Sequence, residues 1–392
     1  MMRILYITLE NLSLHKGSVV HVKEIVNGLR KLGHHVGLVA SSLNKSEEVD
    51  RFYNLQHMPA FFLRLFRLKK QPYFLSSIFL FLYLIRILPQ YDIIYARDFH
   101  TVMIALLPRL IFRKKLVFEI NGIANEERRL RTDSYLNYIL VFFIKWAEKM
   151  ATRCSEKVIS VAPKIKLYLT QNFDCPSGKI KVIGNGVNTE KFCPIHDSPS
   201  LVEWKERLGI KSNDTVIAYV GNLAPWQGID DLIAIAFRLL SKNRDLKFLV
   251  VGEGLLKPLL LEKVLSSGYD ENIIFTGMLD HEEIPLLINL ADICVAPLRV
   301  GTGSPIKVFE YMACGKPVVT SRIEGLEFVE AEGVGRLTLP EDIIGLEEAL
   351  KELIKEPRKR AEMGQRGMWI ARERFSWESR VVQIEDLLRK MA

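Results

Sequence analysis

The chain is poor in cysteine: five in 392 residues, Cys154, Cys175, Cys193, Cys294 and Cys314, odd in number and without a CxxC pair. That usage points to reduced thiols in a cytosolic protein and argues against a zinc site. A GxGxxG fingerprint is also missing. Gly17-Ser18 follows the first strand-like run without it, and VGEG (251–254) has Lys257 where the third glycine belongs, which disfavours a nicotinamide oxidoreductase. The start, MMRILYITLE, lacks signal-peptide architecture and reads as a first β-strand. Long apolar runs are absent too. FLSSIFLFLYLIRIL (74–88) is interrupted by Arg86 and followed by Pro89, whereas about 20 apolar residues are needed to span a bilayer. It reads as a buried core helix, with contact to a membrane surface as the alternative.

What is present describes a globular protein with a full core: 48% hydrophobic and 26% charged residues, in a length suited to two or three domains. Net charge is +8, and the cationic excess lies in the first half, in Arg64, Arg67, Lys69, Lys70, Arg109, Arg113 and Lys114 among others. Neither stacking aromatics nor a binding motif accompanies it, so nucleic acid is disfavoured as a partner. The cluster FFLRLFRLKK (61–70), basic with Phe and Leu interleaved, is a candidate for lying on an anionic membrane surface.

Strand-like and helix-like runs alternate almost throughout. Strands are expected at 3–9, 35–40, 92–96, 115–120, 157–161 and 179–184, then at 215–221, 246–252, 273–277, 291–297 and 317–321. Val19, Val22, Ile25, Val26, Leu29 and Leu32 recur at helical spacing between the first two, and Gly33 ends that helix. Such alternation means parallel sheets with crossover helices, and two series mean two Rossmann-like domains. The join is expected in NGVNTEKFCP (185–194), with Gly186 permitting a turn, and a ligand cleft between the domains is the default expectation. FSWESRVVQIEDLLRKM (375–391) reads as a terminal helix capped by Ser376.

The most informative stretch is GSPIKVFEYMACG (303–315). Ser304 is placed as an N-cap and Pro305 as a first helical residue, with Gly315 stopping the helix. Lys307 then lies in the first turn, where the helix dipole disfavours a cation unless an anion is bound. First-turn N–H groups, the dipole and the ammonium would together hold a phosphate. Glu310, one turn deeper on the same face, is suited to the vicinal hydroxyls of a ribose. The apolar run 291–298 and the Gly-containing loop 299–303 lead into it, the strand–loop–helix arrangement that binds ligands in open α/β sheets. The alternative is a plain Ser-Pro cap with Lys307 in solvent. GNLAPWQG (221–228) is a second strand end and loop, or simply a βα turn.

Taken together, KIKVIGNGVNTEKFCP (179–194), YVGNLAPWQGIDDLI (219–233), LVVGEG (249–254), IIFTGMLDHEEIPLLINLADICVAPL (273–298) and GSPIKVFEYMACGKPVVTS (303–321) resemble the retaining glycosyltransferases of family 4. GLRKLGHHVGLV (28–39) and the closing FSWES (375–379) extend the resemblance over the full length. It implies an α/β GT-B fold, two Rossmann-like domains facing each other across a cleft. The domains would be an acceptor-binding domain at 1–187, a nucleotide-sugar-binding domain at 188–374, and a terminal helix at 375–392 crossing back. It further implies a nucleoside-diphosphate-sugar donor and no metal. The implied donor site is Gly17, Gly221, Asn222, Gln227, Gly252, Ser304, Ile306, Lys307 and Glu310.

Four positions depart from the family. Eight residues before Glu310, where a second glutamate is common, stands Thr302; an Arg/Lys pair on the diphosphate is replaced by Asn222 and Gln227; an active-site histidine is replaced by Asn121. Asn121 can hydrogen-bond a sugar hydroxyl but does not titrate. The groups left as candidate bases are Glu119, Glu126 and His100, the last with a structural or solvated reading beside it. With Lys307 and the helix N–H groups stabilising the leaving diphosphate, the expected activity is retaining transfer onto a cell-surface polysaccharide or lipid-linked glycan. The alternatives are a non-catalytic GT-B subunit, a sugar-nucleotide epimerase or a glycogen-type synthase. The expected location is cytoplasmic, peripheral on the inner face of the membrane as a variant.

Overall fold

The computed structural model describes residues 1–13, 17–41, 51–54, 73–124, 135–196, 198–300 and 304–391. Expectations resting on 61–70, Glu126 and 301–303, Thr302 included, lie outside them. The chain divides into two units, Met1–Gly184 with Arg380–Ala392, and Asn185–Ser379.

Unit 1 carries a parallel sheet of order β3-β2-β1-β4-β5-β6-β7. Its strands are β1 (Arg3–Ile7), β2 (His35–Ala40), β3 (Arg51–Asn54), β4 (Ile93–Arg97), β5 (Lys115–Ile120), β6 (Lys157–Ser160) and β7 (Ile180–Val182). Helices α1 (Gly17–Lys31), α2 (Tyr73–Ile87), α3 (Phe99–Ile111), α4 (Tyr135–Cys154) and α5 (Pro163–Phe173) connect them. α1 buries Val19, Val22, Ile25, Val26 and Leu29, while Leu32 falls just past its last turn and is exposed; the chain then turns at Gly33, whose φ of +83° a glycine adopts without strain. α2 is the expected core helix on one face only. Leu80, Leu84 and Ile87 are buried, while Ile78 and Leu82 are exposed. Among the described residues, no helix is long and apolar enough to cross a membrane.

Unit 2 repeats the plan with order β10-β9-β8-β11-β12-β13. Its strands are β8 (Thr215–Val220), β9 (Leu246–Val251), β10 (Ile273–Gly277), β11 (Ile293–Ala296), β12 (Val318–Ser321) and β13 (Gly335–Thr338). Around them lie α6 (Pro199–Arg207), α7 (Ile229–Leu240), α8 (Lys257–Ser267), α9 (Ile284–Leu290), α10 (Ile306–Ala313), α11 (Phe328–Ala331), α12 (Ile343–Lys355) and α13 (Pro357–Arg374). β3 and β13 are absent from the sequence expectation. Both are four-residue edge strands, RFYN and GRLT, with too little apolar pattern to stand out.

Helix α14 (Trp377–Arg389) starts in unit 2, where Ser376 Oγ accepts from Ser379 N at 3.2 Å, and its later turns belong to unit 1. There Glu385 Oε1 pairs with His34 Nε2 at 2.9 Å. Gly186 serves close packing rather than the expected turn: a Cβ there would lie 2.9 Å from the Trp377 ring and 3.0 Å from its N. In both sheets the strand order reverses next to the first strand, between β1 and β4 and between β8 and β11. Ligands of doubly wound sheets bind at such switch points, beyond the carboxyl ends of the strands.

Candidate functional site

At the unit 2 switch point, α10 is registered against the end of β8 by Tyr311. Its buried hydroxyl accepts from Val220 N at 2.8 Å and donates to Val220 O at 3.2 Å. This holds Lys307, one turn earlier, beside Gly221. The Lys307 ammonium donates to Gln227 Oε1 at 2.7 Å and to the Tyr219 hydroxyl at 3.3 Å, and lies 4.5 Å from the Tyr219 ring centre. Gly221 has φ +150°, and a Cβ there would stand 2.5 Å from Lys307 Nζ. Gly252, at the end of β9, has φ +133° and would drive a Cβ to 2.0 Å from Gly221 O. Both glycines are needed because strand ends and ammonium meet with no room for a side chain.

Burial lowers the Lys307 pKa to about 7, opposed by the charge of Glu310. Glu310 is itself buried, its Oε1 3.6 Å from His281 Nε2. The Lys191 ammonium lies 2.6 Å from His281 Nδ1, which leaves the imidazole proton on Nε2, towards Glu310. One helix face thus carries an under-charged lysine and an oriented carboxylate.

Ser304 is not the N-cap. Pro305 occupies that position without a side-chain cap, so Ile306 is the first helical residue and Lys307 the second. The Ser304 hydroxyl is used elsewhere: it accepts from Asn185 N at 2.7 Å, and Ser304 O accepts from Asn185 Nδ2 at 2.6 Å. Val308 N bonds Pro305 O at 3.1 Å, and among the described residues no side chain caps the N–H groups of the first turn of α10.

The loop 221–228 leads through a short 3₁₀ turn, Pro225–Gln227, into α7. Arg299 clamps it, donating from Nη2 to Asp230 and Asp231, both at 2.8 Å, and from Nη1 to Pro225 O at 2.9 Å. Gln227 meets Lys307, whereas Asn222 contributes its carbonyl to the Tyr219 hydroxyl at 2.7 Å. Tyr219, Tyr311 and Arg299 escaped the sequence reading. Nothing in an apolar strand or helix run marks which tyrosine hydroxyl reaches across to a neighbour.

In unit 1, Gly17 opens α1 and the other candidates gather at the ends of β4 and β5. Glu119 is fully buried. Its carboxylate takes His21 Nε2 at 2.7 Å, Asn121 Nδ2 at 2.7 Å and the Tyr95 hydroxyl, with Arg97 Nε at 3.6 Å. Burial opposes its ionisation, but His21, Arg97 and Tyr95 prevail and hold its pKa at about 2. A carboxylate so enclosed holds His21, Asn121, Tyr95 and Arg97 around it. Asn121 is spent on orienting it. His100 is exposed, its Nδ1 3.8 Å from Asp98 and its ring tilted against that of Phe99.

Asp98, which the sequence reading passed over, is the unusual residue. Its φ of 91° and ψ of 153° are costly for a side chain that is not glycine. It caps α3, accepting from Thr101 N at 2.9 Å, and burial raises its pKa to about 7 despite that bond.

Comparison with known proteins agrees with this geometry. A family model described as Glycosyltransferase Family 4 matches residues 15–191, and one described as Glycosyl transferases group 1 matches residues 202–368, together nearly the whole chain. The alpha-D-kanosaminyltransferase of Streptomyces kanamyceticus is 23% identical over 248 residues, 63% of this chain and 64% of that protein. The GDP-mannose-dependent alpha-(1-6)-phosphatidylinositol monomannoside mannosyltransferase of Mycolicibacterium smegmatis is 28% identical over 220 residues, 54% of this chain and 57% of its own length. Anabaena HepE, solved in complex with UDP-glucose, shares the fold over 100% of both chains with a TM-score of 0.78 at 21% identity. A doubly wound unit on each side of residue 184, and a family match in each, have one reading: the chain belongs to the glycosyltransferases of family 4 and has their GT-B fold.

Proposed function

We propose that the chain transfers a hexosyl group, with retention, from a nucleoside-diphosphate sugar to a cell-surface polysaccharide or lipid-linked glycan, without a metal ion, at the inner face of a membrane. The observation that carries this is the placement of Lys307 and Glu310 on one face of α10, beneath Gly221 at the unit 2 switch point. A diphosphate at the first turn would meet uncapped N–H groups and the ammonium, and the ribose would meet Glu310. The relatives support the substrate classes: one is named for a GDP-mannose donor and a phosphatidylinositol acceptor, and one is solved with UDP-glucose.

In the transfer, the bond from the anomeric carbon to the diphosphate oxygen breaks and a bond to the acceptor oxygen forms on the same face. The acceptor proton passes to the departing phosphate. Lys307 and the α10 N–H groups stabilise the charge that develops on the leaving group, and charge neutralisation stands where a metal would otherwise be needed. Pinned as it is, Glu119 supports the unit 1 side by holding His21, Asn121 and Arg97 in place.

Thermal stability with a panel of nucleoside diphosphates and their sugars, on wild type and Glu310→Ala, tests the reading. A cognate ligand at about 100 times its dissociation constant stabilises by about 2.7 kcal/mol. The expected result is stabilisation by one nucleotide class, much reduced in the variant, with turnover unchanged by EDTA. Equal stabilisation of both proteins would refute the assignment of Glu310, and loss of turnover with EDTA the metal-free mechanism.

A further inference from the structure

Two buried histidine–glutamate pairs in unit 1 are closed. His21 Nε2 lies 2.7 Å from Glu119 Oε1, and His34 Nε2 lies 2.9 Å from Glu385 Oε1, with both imidazoles nearly sealed from solvent. A third pair, in unit 2, is open. His281 Nε2 stands 3.6 Å from Glu310 Oε1, too far for a hydrogen bond, and 33% of the His281 side chain is exposed. Glu310 finds no compensation elsewhere. Among the described residues its carboxylate accepts no hydrogen bond, although the residue is buried. A buried carboxylate without donors is costly, so this one is placed for donors that arrive with a ligand.

The imidazole is fixed from behind. The Lys191 ammonium, which only donates, lies 2.6 Å from His281 Nδ1 and 2.7 Å from Glu282 Oε1. Nδ1 therefore accepts, and the ring proton sits on Nε2, facing Glu310. Phe192, itself fully buried, packs edge-to-face against the ring with centroids 5.5 Å apart. A donor N–H and an acceptor oxygen are thus held 3.6 Å apart. A hydroxyl oxygen about 2.8 Å from each closes the gap, accepting from Nε2 and donating to the carboxylate. An ether oxygen has no proton for Glu310, and a C–H group serves neither side. The pair consequently selects a hydroxyl and rejects its deoxy counterpart. The second carboxylate oxygen remains for a neighbouring hydroxyl, and a ribose presents two side by side.

We propose that His281 reads the ribose of the donor: its Nε2–H and the Glu310 carboxylate share one ribose hydroxyl, and Lys191 is a positioning residue that sets the imidazole tautomer. The assignment rests on the nucleotide lying along α10, as proposed above. The test is calorimetric titration of the full chain with UDP, GDP and ADP, and with the 2′-deoxy and 3′-deoxy counterparts of whichever binds. Wild type is expected to bind the ribonucleotide about tenfold or more tighter than one of the deoxy forms. His281→Phe keeps a ring against Phe192 but loses the donor. It is expected to weaken the ribonucleotide by about tenfold and to leave that deoxy form nearly unchanged, so that the ratio collapses. His281→Gln, whose amide restores an N–H, should recover much of the ratio. Lys191→Met, which frees the tautomer, should fall between wild type and His281→Phe. A wild type that does not distinguish the ribonucleotide from either deoxy form would overturn the proposal. So would a His281→Phe protein that keeps the wild-type ratio, or that loses ribo and deoxy forms alike as a merely structural histidine would; in either case the donor site itself stands. Binding of none of the three nucleotides by wild type would refute the donor site as well.

Discussion

Among the described residues, Lys307 donates to neutral acceptors, Gln227 Oε1 and the Tyr219 hydroxyl, and burial lowers its pKa to about 7. At pH 8 about a tenth of the molecules then carry the ammonium. A diphosphate at the first turn of α10 would restore the ordinary lysine range, so donor binding at pH 8 takes up about 0.9 proton, and at pH 6 about 0.1. A nucleoside-diphosphate sugar is suited to the measurement because its diesterified diphosphate does not titrate in this range. Calorimetric titration in two buffers of equal pH and different ionisation enthalpy gives the uptake directly. Affinity should weaken as pH rises above 7, while Lys307→Arg, always charged, should show no uptake and a flat profile. In the protein alone the sign differs. The unfolded chain holds the extra proton between about pH 7 and the ordinary lysine range, so the cost of burying Lys307 is full below pH 7 and fades as pH rises. Uptake below about 0.2 proton at pH 8, or equal uptake by Lys307→Arg, would refute the reasoning.

Three further substitutions test the scaffold. Gly221→Ala places a methyl where the Lys307 ammonium lies, at a φ of +150°; it should cost about 1–3 kcal/mol in denaturant unfolding and weaken donor binding more than the fold. Tyr311→Phe leaves Val220 N without its acceptor, so a loss of about 1–3 kcal/mol is expected, with a raised donor KM as α10 loses its register. Glu119→Gln removes the buried carboxylate that holds His21 and leaves Arg97 with Glu10 as its remaining acidic partner, and should lower stability near neutral pH by about 3 kcal/mol. Because the Glu119 pKa is depressed to about 2, its contribution is present above the ordinary carboxylate range and lost as pH falls through about 2. The difference in melting temperature between wild type and this variant should therefore close on acidification.

Period and punctuation made most of the fold legible. Apolar runs bounded by glycine gave eleven of the strands, because a doubly wound sheet buries its strands on both faces and writes that burial as continuous Val, Ile and Leu. β3 and β13 are four-residue edge strands, RFYN and GRLT, too short and too poor in Val, Ile and Leu to leave such a run. The pairing of Lys307 and Glu310 was legible, since three residues apart on a helix means one face. Ser304 was misread because a serine before proline is a sound cap locally, and only the approach of Asn185 shows the hydroxyl already engaged.

The sequence by itself determined the alternation, the helix that carries the cation and the carboxylate, and the family resemblance, all of which depend on residues near one another along the chain. Tertiary structure alone decided which groups meet across it. It drew Lys307 to Gln227, eighty residues away, pinned α10 to β8 through Tyr311, and surrounded Glu119 with donors from α1, β4 and the end of β5. It also decided which side of α4 faces water. A run such as NYILVFFIKW is apolar on every side, so its sequence cannot say which face is buried, and only the packing of the sheet beneath it leaves the aromatic one outside.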